Sequence, residues 1–317
     1  MASLKPLPTF VAYMNNPRLG LAIATYRQDD LVCALLDKVY TECPELFESI
    51  IIVDSHSSGA VESHIDNNTY EKVVFQNSTE NMGSAGNLAL RLEIAADLGL
   101  DFVYAINHDG TVDHQTVEAL LAYASTHERI GAAYPLRYLE GRDSFDYTGT
   151  QRLPLPFRGK KGAATEEPIS VYWASSNGAL YNLEPVREGL LPWRDLWMGW
   201  EDMGYGWLLD KNGWKQCLVP GTQFSDNYEC IDHQLFGKTV TITDKPAWYA
   251  YYGTRNLILV VRRNERPSSE FLVVAARVAL EVGLTAVFKQ DKAQRLKYIA
   301  AGIYDGIRER TGKWHVP

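Results

Sequence analysis

The sequence predicts an α/β fold, a mostly parallel sheet covered by helices, followed by a helical C-terminal appendage. Three observations carry this expectation. Short apolar runs alternate with stretches of helical period, each run stops at a polar cluster, and residues 257–317 keep only the helical period.

The first apolar run, Leu19 to Ala24, ends at Thr25-Tyr26-Arg27, and a helix pattern follows from Leu31 to Tyr40 with Asp29 or Asp30 available to cap it. The second, Ile50 to Val53, runs directly into Asp54-Ser55-His56-Ser57-Ser58-Gly59. Val73 to Gln76 is a third strand. It precedes Asn81-Met82-Gly83-Ser84-Ala85-Gly86-Asn87, which opens a helix through Leu88, Leu92, Ala95 and Ala96. Phe102 to Ile106 is a fourth strand and stops at Asn107-His108-Asp109-Gly110. In parallel sheets, ligands sit outside the carboxyl ends of the strands, so the clusters at Thr25, Asp54 and Asn107 should converge on one crevice.

Residues 137–168 are rich in Gly, Pro and charge and read as a long loop or hairpin excursion. Apolar character returns at 171–180, around Trp173 and Ser176-Asn177-Gly178. Trp197-Met198-Gly199-Trp200-Glu201-Asp202 then leads to a helical stretch, Tyr205 to Asp210, stopped by Asn212-Gly213. At the C-terminus, Ser268 or Ser269 can cap a helix through Phe271, Val274, Val278 and Val282, and Leu296, Ile299, Ile303 and Ile307 form a second helical stripe. Arg277 and Glu281 in the middle of the first argue against a membrane span. The segment stays open between a homo-oligomer seam, peripheral membrane contact and ordinary packing.

Composition narrows the classes. In 317 residues, 31 Lys and Arg stand against 39 Asp and Glu, a net charge of −8, which argues against a nucleic-acid partner. Four cysteines without C-x-x-C spacing suit a reducing, cytoplasmic setting, or the inner face of the membrane. The N-terminal stretch, with Pro6, Pro8 and Pro17, reads as neither signal peptide nor anchor.

Several residues can carry chemistry, each beside a plainer use. Asp54 can accept a hydrogen bond from a base-ring N–H or a ribose hydroxyl, or simply close an Asx turn. Asp109, assisted by Asn107 and His108, can hold Mg²⁺ or Mn²⁺ against phosphate oxygens, or Asp109-Gly110 is only a turn. Glu201-Asp202 can supply a general base in a pocket walled by Trp197 and Trp200, or two charges favoured by a helix dipole. The small residues of 81–87 permit close approach of a phosphate or ribose to backbone. They do not form G-x-G-x-x-G, and they follow the third strand, which counts against dinucleotide binding.

Taken in order over roughly residues 19–256, the segments Leu21-Ala22-Ile23-Ala24-Thr25-Tyr26-Arg27, Ile51-Ile52-Val53-Asp54, Asn81 to Asn87, Asn107-His108-Asp109, Ser176-Asn177-Gly178 and Gly199-Trp200-Glu201-Asp202 resemble family 2 glycosyltransferases of the GT-A (Rossmann-like) fold. Tyr251-Tyr252-Gly253-Thr254-Arg255-Asn256 is similar to segments of rhamnosyltransferase-like and galactofuranosyltransferase-like members.

The resemblance implies an inverting, non-processive transfer from a nucleotide-diphosphate sugar to a hydroxyl of a glycan, glycolipid or other acceptor. Asp54 would hold the nucleobase, Asp109 a Mg²⁺ or Mn²⁺ ion, and Asp202 would act as base with Glu201 in support. With the strand-end clusters it places the donor against Thr25, Tyr26, Arg27, Asp54, Asn81, Gly83, Asn87, Asn107 and His108, and the acceptor against Trp173, Asn177 and Trp200. The domains expected are 1–256, the GT-A domain, and 257–317, the helical segment.

Two departures stand out. Asn107 occupies the first position of a motif that is often Asp-x-Asp, and residues 221–227 lack the metal-binding His of many relatives, leaving Asp226 as a substitute. The Gln-x-x-Arg-Trp signature of processive members is absent. The alternatives are a sugar nucleotidyltransferase and a non-catalytic carbohydrate-binding protein on the same fold.

Overall fold

The computed structural model describes residues 17–314 apart from 57, 69, 140–143, 147–160, 163–164, 227–229, 236–237 and 244. Among the described residues, twelve strands and nine α-helices follow one another along the chain: β1 (Leu19–Thr25), α1 (Asp29–Glu42), β2 (Ser49–Asp54), α2 (Ala60–Asn68), β3 (Val73–Asn77), α3 (Gly83–Asp97), β4 (Phe102–Asn107), α4 (His114–Thr126), β5 (Ile130–Leu139), β6 (Ser144–Asp146), β7 (Lys161–Gly162), β8 (Ile169–Val171), β9 (Ala179–Asn182), α5 (Glu184–Arg187), α6 (Glu201–Lys211), β10 (Lys215–Asp226), β11 (Cys230–Leu235), β12 (Lys238–Thr243), α7 (Tyr249–Arg263), α8 (Ser268–Val287) and α9 (Lys292–Ile307). The main sheet has the order β3-β2-β1-β4-β9-β5-β10-β8. Its first four strands are parallel, β9 runs against both of its neighbours, and β5 and β10 are parallel.

The central strands are apolar on both faces because both are covered. Leu21, Ile23, Ile50 and Ile52 pack with Val32, Leu36 and Val39 of α1 and Leu120 of α4. The alternate residues Ala22, Ile51 and Val53 pack with Leu88 and Leu92 of α3 and Leu209 of α6. The 137–168 excursion contributes β6, which pairs with the end of β5, and β7, which pairs with β6.

Three local expectations shift. Asp29 and Asp30 lie in the first turn of α1, with Gln28 at the cap position, so they serve the helix dipole and not the cap. The Glu-Asp helix begins at Glu201, earlier than its apolar period suggested, with Trp200 at its N-cap in a left-handed conformation. Pro267, not a serine, precedes α8, and no side chain caps that helix.

Residues 256 and 257, on either side of the expected domain boundary, both lie in α7. Against it packs α9: a side chain at Gly302 would meet the Tyr251 carbonyl at 2.6 Å and one at Gly306 would meet the Arg255 carbonyl at 3.1 Å. The Tyr251 hydroxyl donates to Asp305 at 2.8 Å. α8 buries only Val274 and Thr285 and leaves Leu272 74% exposed. No helix among the described residues is long and apolar enough to cross a membrane.

Gly83 opens α3 at φ +66°, and a Cβ there would lie 1.9 Å from the Trp197 carbonyl oxygen. At Gly59, with φ +84°, a Cβ would meet nothing within 4 Å. Gly59→Ala should therefore cost only the left-handed strain, about 1–2 kcal/mol. Gly83→Ala should cost roughly 1–3 kcal/mol more, since backbone must move; equal losses in urea unfolding would show that the close approach is not maintained in solution.

Candidate active site

The parallel register brings the strand ends together. Thr25 of β1 pairs with Asp54 of β2, and Ala24 pairs with Asn107 of β4. The chain turns there are fixed by backbone: the Ser55 N–H donates to the Thr25 carbonyl at 3.1 Å and the His108 N–H to the Ala24 carbonyl at 2.9 Å.

Asp54 is fully buried. Its Oδ1 accepts the His56 N–H at 2.8 Å, closing the Asx turn, while Oδ2 has no hydrogen-bond partner. Burial pushes its carboxyl above the ordinary value, the nearby Asp29 adds to this, and the His56 N–H opposes it. Asn87 donates to the Val53 carbonyl at 3.0 Å and to Ser55 Oγ at 3.2 Å, leaving its Oδ1 unpartnered. Thr25 Oγ1 and Ser84 Oγ are also buried without a partner. A buried polar atom left unpaired costs on the order of 1–3 kcal/mol. Four such atoms lie at the ends of β1 and β2 and the start of α3, a candidate cradle for a polar ligand. Tyr26 and Arg27 rim it: both are exposed, and the Arg27 guanidinium lies 5.1 Å over the Tyr26 ring.

The segment 81–87 has its close backbone approach, but to protein. Asn81 Oδ1 accepts the Gly83 N–H at 2.9 Å. The Trp197 carbonyl accepts the Ala85 N–H at 3.1 Å, and the Trp197 indole donates to the Asn81 carbonyl at 3.0 Å. Gly83 thus admits the Trp197 carbonyl at the place where the sequence suggested a phosphate or ribose.

Asn107 and Asp109 differ in exposure. Asp109 is exposed, while Asn107 and His108 are half-buried. Asn177 Oδ1 accepts the Asn107 N–H at 2.9 Å, so Asn177, expected against the acceptor, supports the turn that carries Asp109. Among the described residues no group of three or more His, Cys, Asp and Glu is placed to hold a metal. One carboxylate and a neutral amide oxygen nevertheless match an ion bound largely through substrate phosphates and water, as Mg²⁺ commonly is. Asp226 ends β10 opposite Leu139.

Glu201 and Asp202 form the first turn of α6. Asp202 Oδ1 accepts the Met203 N–H at 2.7 Å, and Glu201 Oε2 is buried without a partner. Burial, then the Glu201 carboxylate, raises Asp202 to about 7, against the pull of the Met203 N–H, Arg137 and Lys245. Tyr134, Tyr181 and Tyr205 lie in the same electrostatic neighbourhood. Lys245 is itself pushed down by burial, offset by Glu201 and Asp202, and its ammonium sits 4.0 Å from the Tyr249 ring centroid.

Trp173 is buried behind α6, where a Cβ on Gly206 would meet its own at 2.5 Å, so it forms core and not acceptor surface. The half-buried Trp200 is engaged on several sides. Trp173 meets it edge-on at 6.3 Å, Arg277 lies 5.2 Å over its ring, and its indole donates to the Gly253 carbonyl at 2.8 Å.

Sequence reasoning missed Arg137 and Lys245. Arg137 lies near the end of β5 and is reachable by the strand-end rule; Lys245 lies in a connection far along the chain and has no such signal.

No family model matches the chain, and no curated protein matches it. Solved structures do. The mannosyltransferase PcManGT from Pyrobaculum calidifontis, in complex with GDP-Man and Mn²⁺, superposes with a TM-score of 0.56 at 13% identity, over 94% of this chain and 89% of that one. S. aureus TarS 1–349 in complex with UDP-GlcNAc gives 0.59 at 12% identity, over 92% and 82%. GalNAc-T7 with UDP, GalNAc and Mn²⁺ gives 0.60 at 12% identity, over 94% of this chain and 57% of that one. The fold is the α/β fold of these GT-A glycosyltransferases.

The Asp202 environment has a measurable consequence. Its carboxyl is raised on folding, so the stability it contributes is present below the unfolded carboxyl value and is lost as pH rises through about 7. Asp202→Asn removes that ionisation. Its unfolding free energy relative to the parent should increase between roughly pH 4 and 8; a difference independent of pH would mean that Asp202 ionises as it does in water.

Proposed function

We propose that the protein is a glycosyltransferase that moves a sugar from a nucleotide-diphosphate donor to a hydroxyl of a glycan or glycolipid, with inversion and one transfer per encounter. The observation that carries this reading is the pairing, on a GT-A fold, of two features. One is the cradle of unpartnered polar atoms around Asp54; the other is the carboxylate pair that opens α6. The donors named with PcManGT and TarS, GDP-Man and UDP-GlcNAc, support the donor class. The similarity of 251–256 to rhamnosyltransferase-like and galactofuranosyltransferase-like segments favours that branch.

In this reading Asp54, Thr25 and Asn87 receive the nucleoside, whose N–H and O–H groups satisfy their free oxygens. Tyr26 and Arg27 close over it from the rim. The ionised Asp202 accepts the proton of the acceptor hydroxyl as that oxygen attacks the anomeric carbon. The bond to the diphosphate breaks as the new one forms, and its electron pair leaves with the phosphate oxygen. Arg137 and Lys245 keep Asp202 ionised often enough to act near neutrality. Asp109 with Asn107 would hold Mg²⁺ or Mn²⁺, which supplies positive charge to the leaving diphosphate. Mn²⁺ accompanies the ligands in PcManGT and GalNAc-T7.

A panel of nucleotide sugars assayed with and without Mn²⁺ tests the reading, and no binding or turnover with any of them would sink it. Asp202→Asn should lower transfer by about 10²–10⁴-fold and leave donor affinity nearly unchanged. Equal loss of both would make Asp202 structural. Asp109→Ala should weaken metal-dependent donor binding about tenfold; unchanged affinity would remove Asp109 from the metal site.

A further inference from the structure

The two carboxylates of α6 are reached through an uncommon piece of backbone. The Met198 N–H donates to the Leu196 carbonyl at 2.8 Å across Trp197, which has φ 62° and ψ −58°. This is a γ-turn of the positive-φ form, rare and strained, and here it is built on a bulky aromatic residue. Gly199 follows at φ 85° and Trp200 at φ 64°, and Glu201 and Asp202 come next. Two tryptophans at positive φ within four residues, 197 and 200, persist only where the surroundings over-determine them.

Those surroundings come from α7. The Asn256 side-chain amide donates to the carbonyls of Leu196 at 2.9 Å, Met198 at 2.7 Å and Gly199 at 2.9 Å. Such a convergence of three carbonyls on one nitrogen requires the chain to double back. Arg255 donates to the same Leu196 carbonyl at 2.8 Å, and through its Nε to Asn256 Oδ1 at 2.8 Å, which fixes the amide's orientation. Both side chains are 0% exposed. On its other side the turn is tied to the donor cradle, since the Trp197 carbonyl and indole are the groups bonded to Ala85 and Asn81.

We propose that Asn256, oriented by Arg255, is a positioning residue for the transfer. By imposing the γ-turn it fixes the carboxylates of Glu201 and Asp202 relative to the donor, without touching either substrate. The inference rests on the reading of Asp202 as base. Without the amide, Trp197 and Trp200 can relax toward negative φ, and each such change swings the first turn of α6. A displacement of about 1 Å at a reacting group can cost about 10²-fold in rate.

The test compares Asn256→Asp, which keeps the shape and the acceptor for Arg255 but has no N–H, with Asp202→Asn and the parent, all as the full chain. Three quantities are read: kcat, the Kd of the nucleoside diphosphate, and hydrogen exchange of the 197–204 amides. Asn256→Asp should lose about 10²-fold in kcat, hold the nucleoside diphosphate within about twofold, and exchange faster at 197–204. If Asn256→Asp does not fold, Arg255→Lys replaces it, with the same pattern at about tenfold. Parent-like kcat, or a fall in kcat accompanied by a comparable rise in Kd, overturns the positioning role while Asp202→Asn is inactive. An active Asp202→Asn instead overturns the base assignment, and the Asn256 inference falls with it.

Discussion

The carbonyl of Trp197 occupies the space that any side chain at position 83 would fill, and it takes the Ala85 N–H at the start of α3. That contact joins the two halves of the candidate site. On one side lies the helix that follows β3 and, with the ends of β1 and β2, forms the polar cradle; on the other lies the short connection into α6. The remainder of the architecture supports this junction. The parallel strands set Thr25, Asp54 and Asn107 side by side, and Asn177 steadies the Asn107 turn through its backbone N–H. α7 and α9, packed closely at Gly302 and Gly306, brace the far side.

The electrostatics follow from the same layout. An acid buried beside a second acid is driven toward its neutral form, and Arg137 and Lys245 limit that drive. The balance leaves Asp202 with a carboxyl raised to about 7, the range that the proposed base would need in neutral solution. Lys245 illustrates the cost on the other partner: burial lowers its own affinity for a proton, and the two carboxylates restore part of it.

How much was legible in the sequence depended on how local each signal was. The strand ends at Thr25, Asp54 and Asn107 were readable because a buried parallel strand is a continuous apolar run, so its end is marked by the first polar residue. Trp173 is placed against the acceptor through the resemblance, in a segment of returning apolar character. Its burial depends on Gly206, distant in sequence, leaving room for it. Asn177 acts through a hydrogen bond to backbone across 70 positions, which leaves no periodic trace. The segment 251–256 is visible as a resemblance, but its helix is not. Arg255 and Asn256 are polar residues that this helix buries completely, so a pattern that puts polar residues outside misplaces them. The positive φ of Trp197 and Trp200 could not be foreseen, since tryptophan is among the residues least expected there.

In the proposed transfer Asp202 directs the acceptor hydroxyl onto the face of the anomeric carbon opposite the departing diphosphate. The most direct measurement is the anomeric configuration of the newly formed glycosidic linkage, read by NMR on the transfer product. A donor with an α-linked diphosphate should give only the β-linked product; a product that retains the donor's configuration would contradict the claim.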